Sequence, residues 1–485
     1  MTAPRERASA DHVYFGATRG LCGTCRRGVD ARIVFRDGGV HLEKHCVDHG
    51  HQSALMSSSI DWWLDALRFV APSRAPGGTL RPVKEGCPFD CGPCTQHQQR
   101  VVLPVIPVTS GCQLDCPICY TINKNEHAFS MPKEELAAIL HAMRERGVDA
   151  DIINFTGGEP TLHPELPALL RMAREAGFRR LTVSTNGLRL LDESYVEALA
   201  EVDARIVLSL DTFDDEVDKA LLGAKTVKRK LQVLDLLAKH DVTTTILPAV
   251  ARGYNDRDVP RLLELVLSRP NLVSLELHTL TFTGQGGTSF DRGGRITVPD
   301  LHAILGEGTG GRIVPTDFVP SPLAHPHCYS ICYLLMLDDG GWVPLARVVG
   351  RETMFALLSD HLYIEPGQRV EDALRDAMDQ LWADPDALPE TEAVLRTLRR
   401  MLEEMFPERG GVDLDARRRV AERATKAIYI HSHMDEETFE LSRIARCSVG
   451  VPGPDGSNVP TCVYNVLYRE KDARFAGRRP AREGA

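Results

Sequence analysis

The chain has 485 residues, 43% of them hydrophobic and 26% charged, and carries a net charge of −10. That length corresponds to about three folding units at roughly 150 residues each, with enough apolar content for a large core. The acidic balance excludes a general binder of nucleic acid or anionic membrane, which needs basic surface to neutralise phosphate.

No apolar run approaches the roughly 20 residues of a membrane span. Met1–Ala10 lacks the apolar stretch of a secretory signal, so a cytoplasmic location is expected. In that compartment disulfides are rare, and 13 cysteines point to metal. Nine lie before residue 120, and the others stand at 328, 332, 447 and 462.

Residues 1–100 form a Cys-rich metal-binding region with few long periodic stretches. Cys22-Gly-Thr-Cys25 and Cys46-Val-Asp-His49 give a C-x2-C…C-x2-H pattern. This spacing suits a tetrahedral three-Cys, one-His site for zinc or a mononuclear, rubredoxin-like iron. His45, His51 or a more distant cysteine are alternatives to His49. Further on, Cys87-Pro-Phe-Asp-Cys91-Gly-Pro-Cys94 follows a turn-rich, mostly polar stretch rather than a strand.

Residues 101–300 alternate strand-like and helix-like segments. Apolar runs at 101–108, 151–155, 181–184, 205–210, 243–250 and 272–277 are mostly rich in β-branched residues and bounded by turn formers. Amphipathic stretches separate them, such as Pro132–Arg146 with Leu136, Ile139, Leu140 and Met143 on one face. The expected class is α/β, with six βα units whose parallel sheet curls into a full or partial (β/α)6, TIM-like barrel. Active sites on such sheets lie at the C-terminal strand ends, so the residues after each strand are the ones to read.

After the first strand comes Cys112-Gln-Leu-Asp-Cys116-Pro-Ile-Cys119-Tyr120. Three thiolates at spacings of four and three can hold three irons of a [4Fe–4S] cube and leave the fourth iron open. Structural zinc normally takes four protein ligands, so this run fits zinc poorly. The second strand ends in Gly157-Gly158-Glu159-Pro160, the third before Asn186, and the fourth at Ser209-Leu-Asp211. Glycines admit close backbone approach to a ligand, and a carboxylate can accept from an ammonium. Each polar residue alone also reads as a helix cap or an Asx turn.

Together these motifs resemble the radical S-adenosylmethionine (SAM) superfamily. The resemblance implies a [4Fe–4S] cluster on Cys112, Cys116 and Cys119 that cleaves SAM reductively, giving a 5′-deoxyadenosyl radical for C–H activation. It also implies SAM contacts from Tyr120, the Gly157–Pro160 motif, Asn186, Ser209 and Asp211. An electron donor such as flavodoxin or ferredoxin is implied as a partner. Ile118 stands where the family often has an aromatic residue, with Tyr120 following.

The segment around Cys87, Cys91 and Cys94 resembles the branch containing archaeal tetraether lipid synthase and the radical SAM methylase of the methanogen pterin cofactor. There it binds an auxiliary iron–sulfur cluster. No fourth cysteine follows at once, so His97, a remote residue or an open iron completes that site.

Residues 301–485 are mixed, and the polar tail Arg469–Ala485 reads as disordered. Asp455-Gly456 reads as a hairpin turn that brings Cys447 and Cys462 close. With Cys328 and Cys332 these form a candidate further auxiliary cluster. His431-Ser-His433 interrupts a helical pattern and reads as capping or solvated.

The expected reaction is methylation or carbon–carbon bond formation on a small molecule or lipid. A peptide-modifying radical SAM enzyme and a non-catalytic zinc-binding scaffold are the alternatives.

Overall fold

A computed structural model describes residues 11–77, 81–92, 94–121, 128–148 and 150–475. The N-terminal decapeptide examined for a signal lies outside these residues, as does the last part of the tail. The described start of the tail is packed: Phe475 is buried, and the Arg469 guanidinium lies over its ring. The disorder expected from Arg469 onward therefore does not hold through Phe475.

The N-terminal region builds a four-stranded antiparallel meander, β1 (Val13–Leu21), β2 (Gly28–Arg36), β3 (Gly39–Cys46) and β4 (Gly50–Ser57). Asp37 and Gly38 both adopt positive φ, the pairing that a tight two-residue hairpin requires. A short helix, Ile60–Ala66, follows, capped by the Ser59 hydroxyl accepting from the Trp62 amide.

All six expected strands form: β5 (Leu103–Thr109), β6 (Ile152–Gly157), β7 (Arg180–Thr185), β8 (Ala204–Leu208), the interrupted run β9 (Thr244–Ile246) and β10 (Ala249–Val250), and β11 (Leu272–Thr279). They pair in parallel in the order β5-β6-β7-β8-β9-β11. The intervening helices bury one face each. Helix Lys133–Glu145 buries Leu136, Ile139, Leu140 and Met143, at the spacing the sequence implies.

The sheet continues beyond these strands. The remaining strands are β12 (Val319–Pro320), β13 (Tyr329–Met336), β14 (Trp342–Pro344), β15 (Thr425–His431), β16 (Val449–Pro452) and β17 (Asn458–Pro460). β15 pairs in parallel with β11, and β13 runs antiparallel to β15. At the opposite edge β16 pairs in parallel with β5, and β17 folds back on it through the expected Asp455-Gly456 hairpin. Strands of the C-terminal third thus complete both edges of the barrel sheet, and a boundary near residue 300 falls inside one continuous sheet.

Three helices, Gln368–Ala383, Thr391–Met405 and Leu414–Ala424, pack over the open side, where Val105, Ile331, Leu335, Met401 and Met405 share one apolar cluster. Among the described residues no helix is long and apolar enough to cross a membrane.

Phe155 on β6 is fully buried between sheet and helices. Phe155→Ala is expected to lower unfolding stability by about 3–5 kcal/mol, whereas Leu191→Ala, at a residue 38% exposed, should cost well under half of that. Urea unfolding of the two variants side by side checks the difference.

Candidate functional site

The C-terminal ends of β6 and β7 are tied by one carboxylate. Glu159 is 1% exposed. Its Oε1 accepts from the Thr161 amide (3.0 Å), the Thr161 hydroxyl (2.6 Å) and the Thr185 hydroxyl (2.7 Å), and its Oε2 from the Asn186 amide (2.8 Å). Burial pushes its pKa up, and these donors pull against that rise. The side chain therefore braces the ends of β6 and β7.

The glycines before it serve the same crowding. Gly157 adopts φ +149, and a Cβ there would lie 2.2 Å from the Thr109 carbonyl oxygen; one on Gly158 would lie 2.3 Å from that of Gly111. Only bare backbone lets β6 pass so close to the start of the cysteine loop.

That loop, residues 110–121, hangs from the end of β5. The Cys119 amide donates to the Cys116 carbonyl (3.0 Å), the Ile118 amide to Leu221 (3.1 Å), and the Gly286 amide to Cys119 (2.9 Å). Leu114 and Ile118 are buried and anchor it, while Cys112, Cys116 and Cys119 are half-buried. Burial, with negative charge at Cys119 and Cys112, pushes the Cys116 thiol up. Burial likewise raises Tyr120 to about 12.

The other expected SAM contacts make bonds within the chain, although Asp211 Oδ2 is buried without a hydrogen-bond partner among the described residues. Asn186 Oδ1 accepts from the Leu188 amide (3.0 Å), an Asx turn, and from Gln113 Nε2 (3.3 Å) in the cysteine loop. The Ser209 amide donates to Thr185. Asp211 is 3% exposed, accepts from the Ala249 amide (2.8 Å) and faces the fully buried Lys230 at 4.0 Å. Pro160 is buried in the turn that Glu159 caps. Of these candidates, only Tyr120 lines the main cavity.

That cavity, about 380 Å³, fills the barrel. One end lies at the strand termini, beside Tyr120, His278, His431 and His433. Its middle is polar, with Asn154, Thr182, Ser184 and Glu276. The far end is apolar, with Leu335, Leu374, Met401 and Met405 under the helical layer. Thr182 and Ser184 both donate to Asn154 Oδ1, at 3.0 and 3.1 Å, which fixes the polar floor.

Three further cysteine groups surround the barrel. Cys22, Cys25, Cys46 and His49 bring their donor atoms within 4.8 Å of one another. His49 Nδ1 lies 3.6 Å from Cys22 and 3.5 Å from Cys46, so His49, not His45 or His51, belongs to this set. Burial opposes it, but the amides of Cys25 and Thr24 hold the Cys22 thiol down at about 6. Cys87, Cys91 and Cys94, with His97, line a second cavity of about 330 Å³. His97 Nε2 donates to the Cys447 carbonyl (2.8 Å), and Cys91 and Cys447 are close enough to interact electrostatically.

The third group departs from expectation. Cys328, Cys447 and Cys462 interact with one another, and Arg443 Nε donates to Cys328 Sγ (3.4 Å). Cys332 does not join them. Tyr329, Ile331 and Tyr333 of β13 face the cavity, so Cys332 points to the other face, where it is fully buried with Leu334 and Ile428. His433 Nδ1 lies 3.6 Å from Cys462 Sγ. It stands with Ser432 just past strand β15, which His431 ends, rather than on a helix.

Donor spacing sorts these sites. A single tetrahedral ion needs four donors drawn together, as in the N-terminal set. The sulfurs of residues 112, 116 and 119 are not gathered within 4.8 Å. Three spread thiols with one side open fit a cube rather than one ion.

Residues 106–266 match the model of the Radical SAM superfamily. The chain thus carries a Radical SAM domain. Such a domain implies a [4Fe–4S] cluster and SAM, and the chain is an enzyme. Residues 14–58 match the HMPTM N-terminal zinc ribbon domain.

The 7,8-dihydro-6-hydroxymethylpterin dimethyltransferase of Methanocaldococcus jannaschii is 26% identical over 94% of this chain and 94% of its own length. The GTP 3′,8-cyclase of Chlorobaculum tepidum is 33% identical over 34% of this chain and 52% of the cyclase. Among solved structures, Streptococcus suis SuiB bound to its precursor peptide SuiA aligns with a TM-score of 0.38 and 22% identity, over 44% of this chain and 46% of that one.

Sequence reasoning missed His278, Lys230 and Arg443, and read His431 and His433 as solvated or capping, with a substrate-facing role as the alternative. The alternation Thr425-Lys-Ala-Ile-Tyr-Ile-His431 was the available sign of a strand ending in the site.

Two outcomes are expected. Glu159→Gln should lower the melting temperature by several degrees and weaken SAM binding at least tenfold, since one acceptor becomes a donor facing other donors. Unchanged values in thermal unfolding and equilibrium dialysis would refute the brace. At the N-terminal set, His49→Gln should lose its ion to a chelator faster than wild type, while His51→Gln should retain it. Chelator-release kinetics separates the two.

Proposed function

We propose that this radical SAM enzyme methylates, or forms a carbon–carbon bond on, a small molecule held in the barrel cavity. The observation that carries the reading is the cavity itself, which reaches from Tyr120, next to the cysteine loop, along the barrel axis. Its volume suits a small ligand. The dimethyltransferase relative, aligned over 94% of both chains, supports methyl transfer and a pterin-like substrate.

In this reading Cys112, Cys116 and Cys119 hold the cluster, and the loop's fixed amide bonds set where its open corner faces. A [4Fe–4S] cluster in that place supplies the electron that splits SAM into methionine and a 5′-deoxyadenosyl radical. The curled sheet and its helical layer exclude water from the chamber where hydrogen is abstracted. Asn154, Thr182 and Ser184 orient a polar substrate from below.

Cys87, Cys91 and Cys94 hold an auxiliary cluster. Cys328, Cys447 and Cys462 hold another, with Arg443 donating to the Cys328 sulfur. The N-terminal set holds zinc or a single iron. A flavodoxin or ferredoxin supplies electrons. The apolar end of the cavity favours a second reading, a substrate with a hydrocarbon portion, as in a lipid.

Anaerobic protein given dithionite, methyl-labelled SAM and 7,8-dihydro-6-hydroxymethylpterin should form 5′-deoxyadenosine and a labelled pterin. The Cys112→Ala/Cys116→Ala/Cys119→Ala variant should form neither and keep the iron of its remaining sites. Deoxyadenosine made equally by this variant would defeat the assignment. Label absent from the pterin but present on an added lipid extract would move the substrate to the second reading.

A further inference from the structure

Three imidazoles meet at the cavity end beside Tyr120. His278 is the penultimate residue of β11, His431 ends β15 opposite it in register, and His433 follows two residues on. Ring centroids lie 5.1 Å apart for His278–His431 and His278–His433, and 3.9 Å apart for His431–His433. One ring nitrogen of each lies within 4.8 Å of the other two.

Their surroundings point to a ligand. His431 is 7% exposed and lines the cavity; its ring stacks on Tyr329 at 3.8 Å but makes no hydrogen bond among the described residues. With no such partner and a place in the cavity lining, its ring nitrogens are available to a ligand there. His278 Nε2 pairs with Glu276 Oε1 at 2.9 Å. A carboxylate behind a histidine fixes its tautomer, leaving the Nδ1 lone pair free, and raises its basicity, the usual outer support of a metal-ligating imidazole.

We propose that His278, His431 and His433 bind one divalent zinc or ferrous ion, open toward the cavity, with Glu276 as the supporting carboxylate. Three neutral imidazoles select this class of ion over magnesium or calcium, which prefer oxygen donors. Bonds of about 2.0–2.1 Å would draw the three nitrogens in from their present spacing, which is within 4.8 Å. Three protein ligands leave a coordination position, and an oxygen or ring nitrogen of the substrate can occupy it. That last step rests on reading the cavity as the substrate chamber; the ion site does not.

The test uses tag-free, full-length protein with its iron–sulfur sites reconstituted anaerobically, then titrated with zinc. Wild type should bind one zinc per chain more than His278→Ala/His431→Ala at equal iron and sulfide. Glu276→Gln should keep the wild-type melting temperature and weaken that zinc 10–100-fold. Equal zinc uptake by wild type and the double variant would overturn the proposal. If the double variant does not fold, Glu276→Gln decides, and wild-type zinc affinity in it overturns the site. Deoxyadenosine formation without substrate, measured on the same samples, reports separately on the SAM-cleaving centre.

Discussion

A carboxylate taken out of water is expensive unless its lone pairs are filled, and that constraint organises the catalytic end of this barrel. Glu159 meets it with two hydroxyls and two amides drawn from its own turn and from the end of the next strand. The brace fixes how far β6 and β7 extend, while the glycines before it let β6 run against Thr109 and Gly111. The cysteine loop begins there, so its position is set from beneath by hydrogen bonds that need no metal. A preorganised loop of this kind presents its thiols at little further entropic cost.

The metal-binding groups differ in compactness, and that difference carries chemical meaning. The N-terminal set closes on itself between two hairpin turns, as a single ion requires. The cysteine trios at 87–94 and at 328, 447 and 462 border the interior instead. His97 joins them by bonding the carbonyl of Cys447. Charge placed on one trio is therefore felt at the other through a low-dielectric interior.

Much of this was readable from the chain. The barrel strands announced themselves because buried parallel strands are continuous apolar runs, and the cysteine loop because its spacing follows one of them directly. The N-terminal meander was less visible. Its strands mix charged and apolar residues, as in Arg32-Ile-Val-Phe-Arg36, although the Asp37-Gly38 turn was a fair sign of a hairpin. Cys332 misled because a cysteine pair four apart looks like a ligand pair, yet Cys328 sits in a turn and Cys332 in a strand that aims it outward. For Glu159 and Asp211 the sequence shows motif position alone: both Glu159 oxygens accept bonds from its own turn and the next strand, whereas Asp211 keeps one buried oxygen without a hydrogen-bond partner among the described residues, beside Lys230. His278 and His431 come together through a pairing of strands some 150 residues apart in sequence, which local pattern does not encode.

The sheet order has a consequence for how the molecule comes into being. β5 finds one of its neighbours in β16 and β11 finds one in β15, so both flanks of the barrel are built from segments near the end of the chain. During synthesis, which proceeds from the N-terminus at about 5–20 residues per second, the central strands keep bare edges until β15 and β16 have emerged. A product that stops short of β15 would therefore present open strand edges to chaperones.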